Sequence, residues 1–295
     1  MNDGALRNCP GCDSSRSSPA GSKNGFDILT CKDCDSLYTS RLPAEGEKLD
    51  YDGYYSESNL RVPSFINERL NEIIGGFEVD RQTNNLLDIG FGAGSILEVA
   101  SGRGWQVYGQ EVSASAVAQA RAKGFEVFCG EIADADYADG FFDVVTCSEI
   151  LEHLPYPQDV LDAIARILRP GGLLWATTPS AKGISYRLMG TGWSVLAPPE
   201  HTQLYSKFGI AKMLENAGFS EITIRAFGMN PAEIRDFYRR KGKQDGPSGF
   251  DRVQTGYELN EKLSRSRPRQ MIKSLLNNSL NLFGVGDSLK IFARK

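Results

Sequence analysis

The segment Leu86-Leu-Asp-Ile-Gly-Phe-Gly-Ala-Gly94 restricts the possible folds more than any other stretch of the chain. A short apolar run gives way at once to glycines at every second position, and Ser95 to Ala100 then reads as a helix. Glycine is needed where backbone must turn sharply and approach a ligand without a Cβ in the way. A strand, a glycine loop and a helix in this order form a ligand-binding turn of an α/β fold. The dinucleotide fingerprint G-x-G-x-x-G fits only at Gly90 and Gly92. Ser95 stands at the third required position, and Gly94 comes one residue early.

The rest of the chain repeats strand and helix in alternation. Trp105 to Gly109, Glu126 to Cys129, Phe142 to Cys147 and Leu173 to Thr178 read as strands. Ser113 to Lys123 and Val160 to Leu168 read as helices, the second stopped by Pro170-Gly-Gly. Upstream, Ile66, Leu70, Ile73, Ile74 and Phe77 recur at helical steps. Downstream, Ser206 caps a helix bearing Ile210, Met213, Leu214 and Ala217, Ile222 to Phe227 is a strand, and Asn230-Pro231 starts another helix. Ser288 to Ala293 reads as a closing strand, and the Gly-rich stretch 242–256 as a loop. Such alternation predicts βαβ units around a largely parallel sheet. The apolar positions Met271, Ile272, Leu275, Leu276 and Leu280 suit a helix packed on that sheet, with docking to a membrane surface as the alternative.

Residues 1–40 differ from the rest. They are poor in large aliphatics and cannot enclose an apolar core of their own. Cys9-Pro-Gly-Cys12 and Cys31-Lys-Asp-Cys34 are 18 residues apart, the spacing of a four-cysteine zinc ribbon. Two residues between paired cysteines let both thiolates reach one tetrahedral ion, and four protein ligands leave no open position, so the zinc is expected to be structural. A redox C-x-x-C would need one pair, not two. The expected organisation is a ribbon over 1–40, a linker or lid over 41–63 with Tyr51, Tyr54 and Tyr55, and the α/β domain over 64–295.

The formal net charge of −4 and the lack of a basic stripe argue against nucleic acid as a partner. The first residues carry no apolar leader segment, and no run of about 18 apolar residues occurs, so no membrane span is expected and the protein is read as cytoplasmic.

On the acidic residue Asp88, the glycines Gly90, Gly92 and Gly94, and the matching stretches Phe142-Asp-Val-Val and Leu168-Arg-Pro-Gly-Gly-Leu, the chain resembles the class I S-adenosylmethionine-dependent methyltransferases over about residues 62–228. The resemblance implies a doubly wound, Rossmann-like sheet, mostly parallel with an antiparallel last strand. It implies that Glu111, beside Val112, binds the two ribose hydroxyls. A carboxylate suits a vicinal diol because it accepts two hydrogen bonds at once. It further implies that Asp88 anchors the methionine amino group and that Glu131 and Ile132 meet the adenine. Asp143 is read as structural.

The acceptor side is less specified. Glu149-Ile-Leu-Glu152-His153 follows the fourth strand, where ligands gather in such sheets. If helical, Glu149, Glu152 and His153 share a face and could hold magnesium or zinc. The stretch is similar to one in ubiquinone-pathway O-methyltransferases and in small-RNA 3′-terminal 2′-O-methyltransferases, both linked to divalent metal. Similar stretches in metal-free relatives favour a structural or substrate-orienting reading. The four-cysteine unit, the tyrosine linker and Pro199-Glu200-His201 also resemble sugar C-methyltransferases. His201 is a candidate general base or acceptor-orienting group, or else a histidine that only bonds its own loop, and Glu200, Glu149, His153 and Tyr55 stand beside it as candidates. The expectation is methyl transfer to a small-molecule or glycan acceptor, with oxygen ahead of carbon. The alternatives are a metal-dependent RNA 2′-O-methyltransferase and a non-catalytic adaptor that keeps the cofactor fold.

Overall fold

Neighbouring apolar residues on the central strands point to opposite faces of one sheet, and both faces are covered. This computed structural model describes residues 7–47, 64–240 and 267–295. Strands β4 (Asn85–Ile89), β5 (Gln106–Glu111), β6 (Glu126–Cys129), β7 (Phe142–Ser148) and β8 (Leu168–Pro179) are parallel, and β10 (Ser220–Phe227) and β11 (Ser288–Arg294) complete the sheet. The order is β10-β11-β8-β7-β4-β5-β6, with β11 antiparallel to both its neighbours. The resemblance implied this sheet, including its antiparallel last strand.

Leu86, Val144, Leu173 and Trp175 pack under helices α1 (Ser64–Gly75) and α2 (Ser95–Gly102), which contribute Ile74, Ile96 and Ala100. Leu87, Val145, Leu174 and Ala176 face the other way, against Leu161, Ile164 and Ile167, and Ile210, Met213 and Leu214 join the same core. Those residues come from α4 (Pro157–Ile167) and α6 (Lys207–Asn216); α3 (Ala114–Ala122) follows β5, and the short α5 (Ile184–Met189) follows β8. The caps read from the sequence form as expected. Ser206 accepts from the Gly209 amide, and Asn230 accepts from Glu233 at the start of α7 (Pro231–Arg239).

One reading needs correction. Pro170-Gly-Gly does not stop a helix directly: α4 has ended at Ile167, and Leu168-Arg-Pro-Gly-Gly lies within β8 as an irregularity, where Phe142 pairs Leu168 but Val144 pairs Leu173. The extra residues swing Arg169 onto Asp143, whose buried carboxylate also accepts from the amides of Gln82, Thr83 and Asn84. Helix α8 (Arg267–Leu282) packs on β10 through buried Leu280 and through Asn277 and Asn281, which accept from Gly228 and Ala226, while Met271, Leu275 and Leu276 stay exposed. None of the helices among the described residues is long and apolar enough to cross a membrane. Tyr51, Tyr54, Tyr55 and the stretch 242–256 lie outside the described residues.

The cysteine-rich segment forms β1 (Ser17–Lys23), β2 (Phe26–Cys31) and β3 (Leu37–Thr39), an antiparallel sheet whose fourth strand is β9 (Gln203–Leu204) from the far side of the chain. Its Ile28 and Leu37 share a core with Met189, Trp193, Leu196 and Leu204. The apolar surface that the segment itself lacks is thus supplied by the stretch between β8 and α6.

Candidate active site

The loop after β4 turns on glycine for two reasons. Gly90 has φ +65, in the left-handed region, and a Cβ there would come 2.1 Å from Ile150 Cδ1. The turn ends on Glu111, at the carboxyl end of β5. One Glu111 oxygen accepts from the Gly92 amide at 3.0 Å, and the other from Val112 and Ser113 at 2.7 and 3.1 Å. Three backbone donors therefore hold a nearly buried carboxylate, leaving acceptor capacity toward the cleft.

That cleft encloses about 1310 Å³ and runs over the carboxyl ends of the strands, the usual ligand position in a doubly wound sheet. Gly90, Glu111, Val112, Glu131 and Ile132 line it on one side; Ser148, Glu149, Glu152, His153, Glu200 and His201 line it on the other. The structure brings these candidates together. Gly92 and Gly94 line a separate, small hollow under the loop. Asp88 is not on the cleft wall either: it is buried beneath the loop and accepts from Thr146 Oγ1 at 2.7 Å. Burial, with Glu111 nearby, pushes its carboxyl up to about 7.

The stretch 149–153 is a turn, not the helix that would align Glu149, Glu152 and His153. Glu149 sits at φ +55, and its amide donates to Thr177 O. The turn instead gathers Glu152, His153 and His201, whose ligand atoms lie within 4.8 Å of one another. His201 thus joins Glu152 and His153, while Glu149 lies beside Glu152. The two imidazoles meet edge to face at 4.6 Å. His153 Nδ1 lies 3.0 Å from Glu200 O, and His201 Nδ1 lies 2.5 Å from Val195 O. Backbone carbonyls thus hold the Nδ1 side of both rings.

Burial shifts the titratable groups of this cluster. Burial, reinforced by His201, drives His153 down to about 4, so the imidazole is neutral. Burial raises Glu152, and the neighbouring Glu149, exposed on the cleft, raises it further. Glu152 is fully buried; Oε2 accepts from Thr178 at 2.9 Å, whereas Oε1 has no hydrogen-bond partner. A buried carboxylate beside two imidazoles is a group of side chains that could hold a metal ion.

At the other cluster, Cys9 and Cys34 Sγ are 3.5 Å apart, as are Cys12 and Cys31, and all four thiols lie within 4.8 Å. A tetrahedral zinc with bonds of about 2.3 Å places sulfurs about 3.8 Å apart, which these positions nearly match. The thiols compete for protons. Hydrogen bonding from Cys9 draws Cys34 down to about 5, while that same bond with burial raises Cys9, and burial lifts Cys12 to about 12. A bound cation would let all four ionise. Gln203, Arg7 and Thr178 escaped the sequence reading; their partners are remote in the chain, and no local motif marks them.

Comparison with known proteins agrees with the fold. A family profile described as "Methyltransferase domain" matches residues 59–224. A ubiquinone biosynthesis O-methyltransferase of Thiobacillus denitrificans is 34% identical over 173 residues, covering 54% of this chain and 74% of that protein. Its counterpart from Nitrosomonas europaea is 31% identical over 175 residues, covering 55% and 73%. Among solved structures, a SAM-dependent methyltransferase from Archaeoglobus fulgidus superposes with a TM-score of 0.55 at 18% identity, over 83% of this chain and 100% of that one, a likeness of fold.

Proposed function

The chain belongs to the methyltransferase-domain family, and we propose that it transfers the methyl group of S-adenosylmethionine to a hydroxyl oxygen of a small-molecule acceptor. The observation that carries this reading is one cleft joining Gly90 and Glu111 to the Glu152, His153 and His201 cluster. The relatives' names support an oxygen acceptor of small-molecule type and lend nothing to a glycan. When bound, the cofactor supplies an already activated methyl group, so the protein has to orient the acceptor and deal with its proton.

In this reading Glu111 holds the ribose hydroxyls, and Glu131 and Ile132 border the adenine. Gly90 lets the loop pass close to the cofactor, while Asp88, beneath it, supports the loop. Glu152, His153 and His201 would hold a divalent ion, whose charge favours the deprotonated form of the acceptor hydroxyl. Glu149 is exposed on the same cleft, and its carboxylate would take the acceptor proton. Arg69, Lys273 and Phe227 line the outer end of the cleft, with the Arg69 guanidinium 5.7 Å from the Phe227 ring, which favours an acceptor that is aromatic or carries a negative group. The four cysteines hold structural zinc.

The test is transfer of labelled methyl to a panel of phenols, catechols and hydroxy acids, with and without a chelator mild enough to leave the cysteine zinc bound. Glu149→Gln should lower turnover by about 10²–10⁴-fold with unchanged cofactor affinity, and His201→Asn should lower it by weakening the hold on the divalent ion. Binding of the demethylated cofactor with no transfer to any hydroxyl compound would overturn the acceptor assignment, and full activity with chelator would remove the divalent ion.

A further inference from the structure

The four-cysteine unit and the acceptor side of the cleft are joined by direct hydrogen bonds. Strand β3 pairs with β9, Leu37 opposite Leu204 and Tyr38 opposite Gln203, and the Thr39 amide donates to Thr202 O at 2.9 Å. The paired stretch begins one residue after His201. Beyond it, the Ser206 hydroxyl donates to Cys34 O, and the Ser206 amide donates to Ser36 Oγ, which lies 3.3 Å from the Cys34 thiol. Only one residue separates the Cys34 carbonyl from Ser36, so the metal-ligand turn itself grips the start of α6.

Gln203 carries the connection inward. It is fully buried, and its amide nitrogen donates to Leu151 O at 3.1 Å and to Leu154 O at 2.5 Å, the carbonyls that bracket Glu152 and His153. Its Oε1 accepts from Arg7 Nη2 at 2.8 Å. Arg7 also reaches Thr39 O at 2.9 Å and Thr202 O at 3.0 Å, so one guanidinium ties the N-terminal arm, β3 and β9 together. The Thr202 amide donates to Glu152 O at 3.2 Å. The turn with Glu152 and His153 and the strand that follows His201 are therefore fastened to each other, and to the cysteine unit, through two side chains.

We propose that the cysteine unit is the support that sets the geometry of the Glu152, His153 and His201 cluster, with Gln203 and Arg7 as positioning residues. The proposal rests on the reading that this cluster faces the acceptor, but not on the identity of the acceptor. A buried side chain that donates to two carbonyls of a turn cannot be lost without moving the turn or leaving Leu154 O unpaired, since only Leu151 O has a second donor, the Tyr205 hydroxyl at 3.1 Å. The ribose-side carboxylate is held separately: Glu111 accepts from the amides of Gly92, Val112 and Ser113.

The chain has only two histidines, and both are in the cluster, so imidazole signals in an NMR spectrum of untagged protein report on this site alone. In Gln203→Leu both signals should shift or broaden, and kcat should fall by about 10–100-fold, as expected for misplacement by a fraction of an ångström to one ångström. Affinity for the demethylated cofactor should stay within about twofold of wild type, by the independence of separated sites. Arg7→Lys, which keeps the charge but not the fork, should shift the same signals by less; it decides the matter if Gln203→Leu does not fold. Folded variants with wild-type imidazole signals would overturn the proposal, even if methyl transfer to a hydroxyl were established. Shifted signals in a protein that methylates no hydroxyl compound would keep the coupling and sink the acceptor reading instead.

Discussion

Gly90→Ala separates two costs that the structure places at one atom. The first is conformational. Gly90 has φ +65, and an L-residue in the left-handed region costs about 1–2 kcal/mol. The second is steric. The new Cβ would lie 2.1 Å from Ile150 Cδ1 and 2.8 Å from Ile150 Cγ1, so the isoleucine must leave its rotamer or the loop must lift, a further 1–3 kcal/mol or so. Ile150 is half-buried and lines the cleft, so its easiest escape is into the ligand space. The expected loss of stability is about 2–5 kcal/mol in urea unfolding, accompanied by weaker cofactor binding. A double-mutant cycle divides the two. Ile150→Ala removes both clashing atoms, and in that background Gly90→Ala should cost only the backbone share, about 1–2 kcal/mol. Equal costs in the two backgrounds would refute the steric argument. A cost below about 0.5 kcal/mol in either would refute the argument from φ.

The remaining predictions concern charge and metal. Burial lifts Asp88 to about 7 in the native state, against about 3.9 in an unfolded chain, so the native state holds a proton that the unfolded chain has released. The sign follows: Asp88 causes stability to fall as pH rises from about 4 to 7, with no further change above that, and Asp88→Asn should abolish this slope in denaturation measured at pH 5 and pH 8. A wild-type to variant difference that is the same at both pH values would disprove it. Glu111→Ala removes the acceptor for three backbone amides and, in the proposed site, for the ribose diol; titration calorimetry should show binding of the demethylated cofactor weakened by about 1–3 kcal/mol. Protein purified without chelator should carry one zinc per chain on Cys9, Cys12, Cys31 and Cys34, and metal analysis of Cys31→Ser should show it lost; zinc retained at full occupancy in that variant would mean the ion sits elsewhere.

The sequence by itself determined what depends on neighbours along the chain. Apolar runs of strand length, helical spacing of Leu161, Ile164 and Ile167, caps at Ser206 and Asn230, and the loop from Gly90 to Gly94 are set by local conformational preference and by the pattern of burial they demand. The sheet and its cleft followed from them, as did the proximity of the four cysteines, because a C-x2-C pair carries its geometry within a single turn. The tertiary structure alone decided what depends on remote contacts. The stretch Glu149 to His153 could have been helical by its sequence, but it is a turn, and Gln203, bonded to Arg7, donates to the carbonyls of Leu151 and Leu154 on either side of Glu152 and His153. The same holds for Asp88, which a motif places beside a ligand and which packing turns inward onto Thr146. It holds also for β9, two residues long and invisible as a pattern, which exists because the edge of β3 offers it unpaired backbone groups. Local preference is a sum over adjacent residues; a site is a meeting of residues nearly two hundred positions apart, and only burial and hydrogen-bond satisfaction across the whole fold select which of them meet.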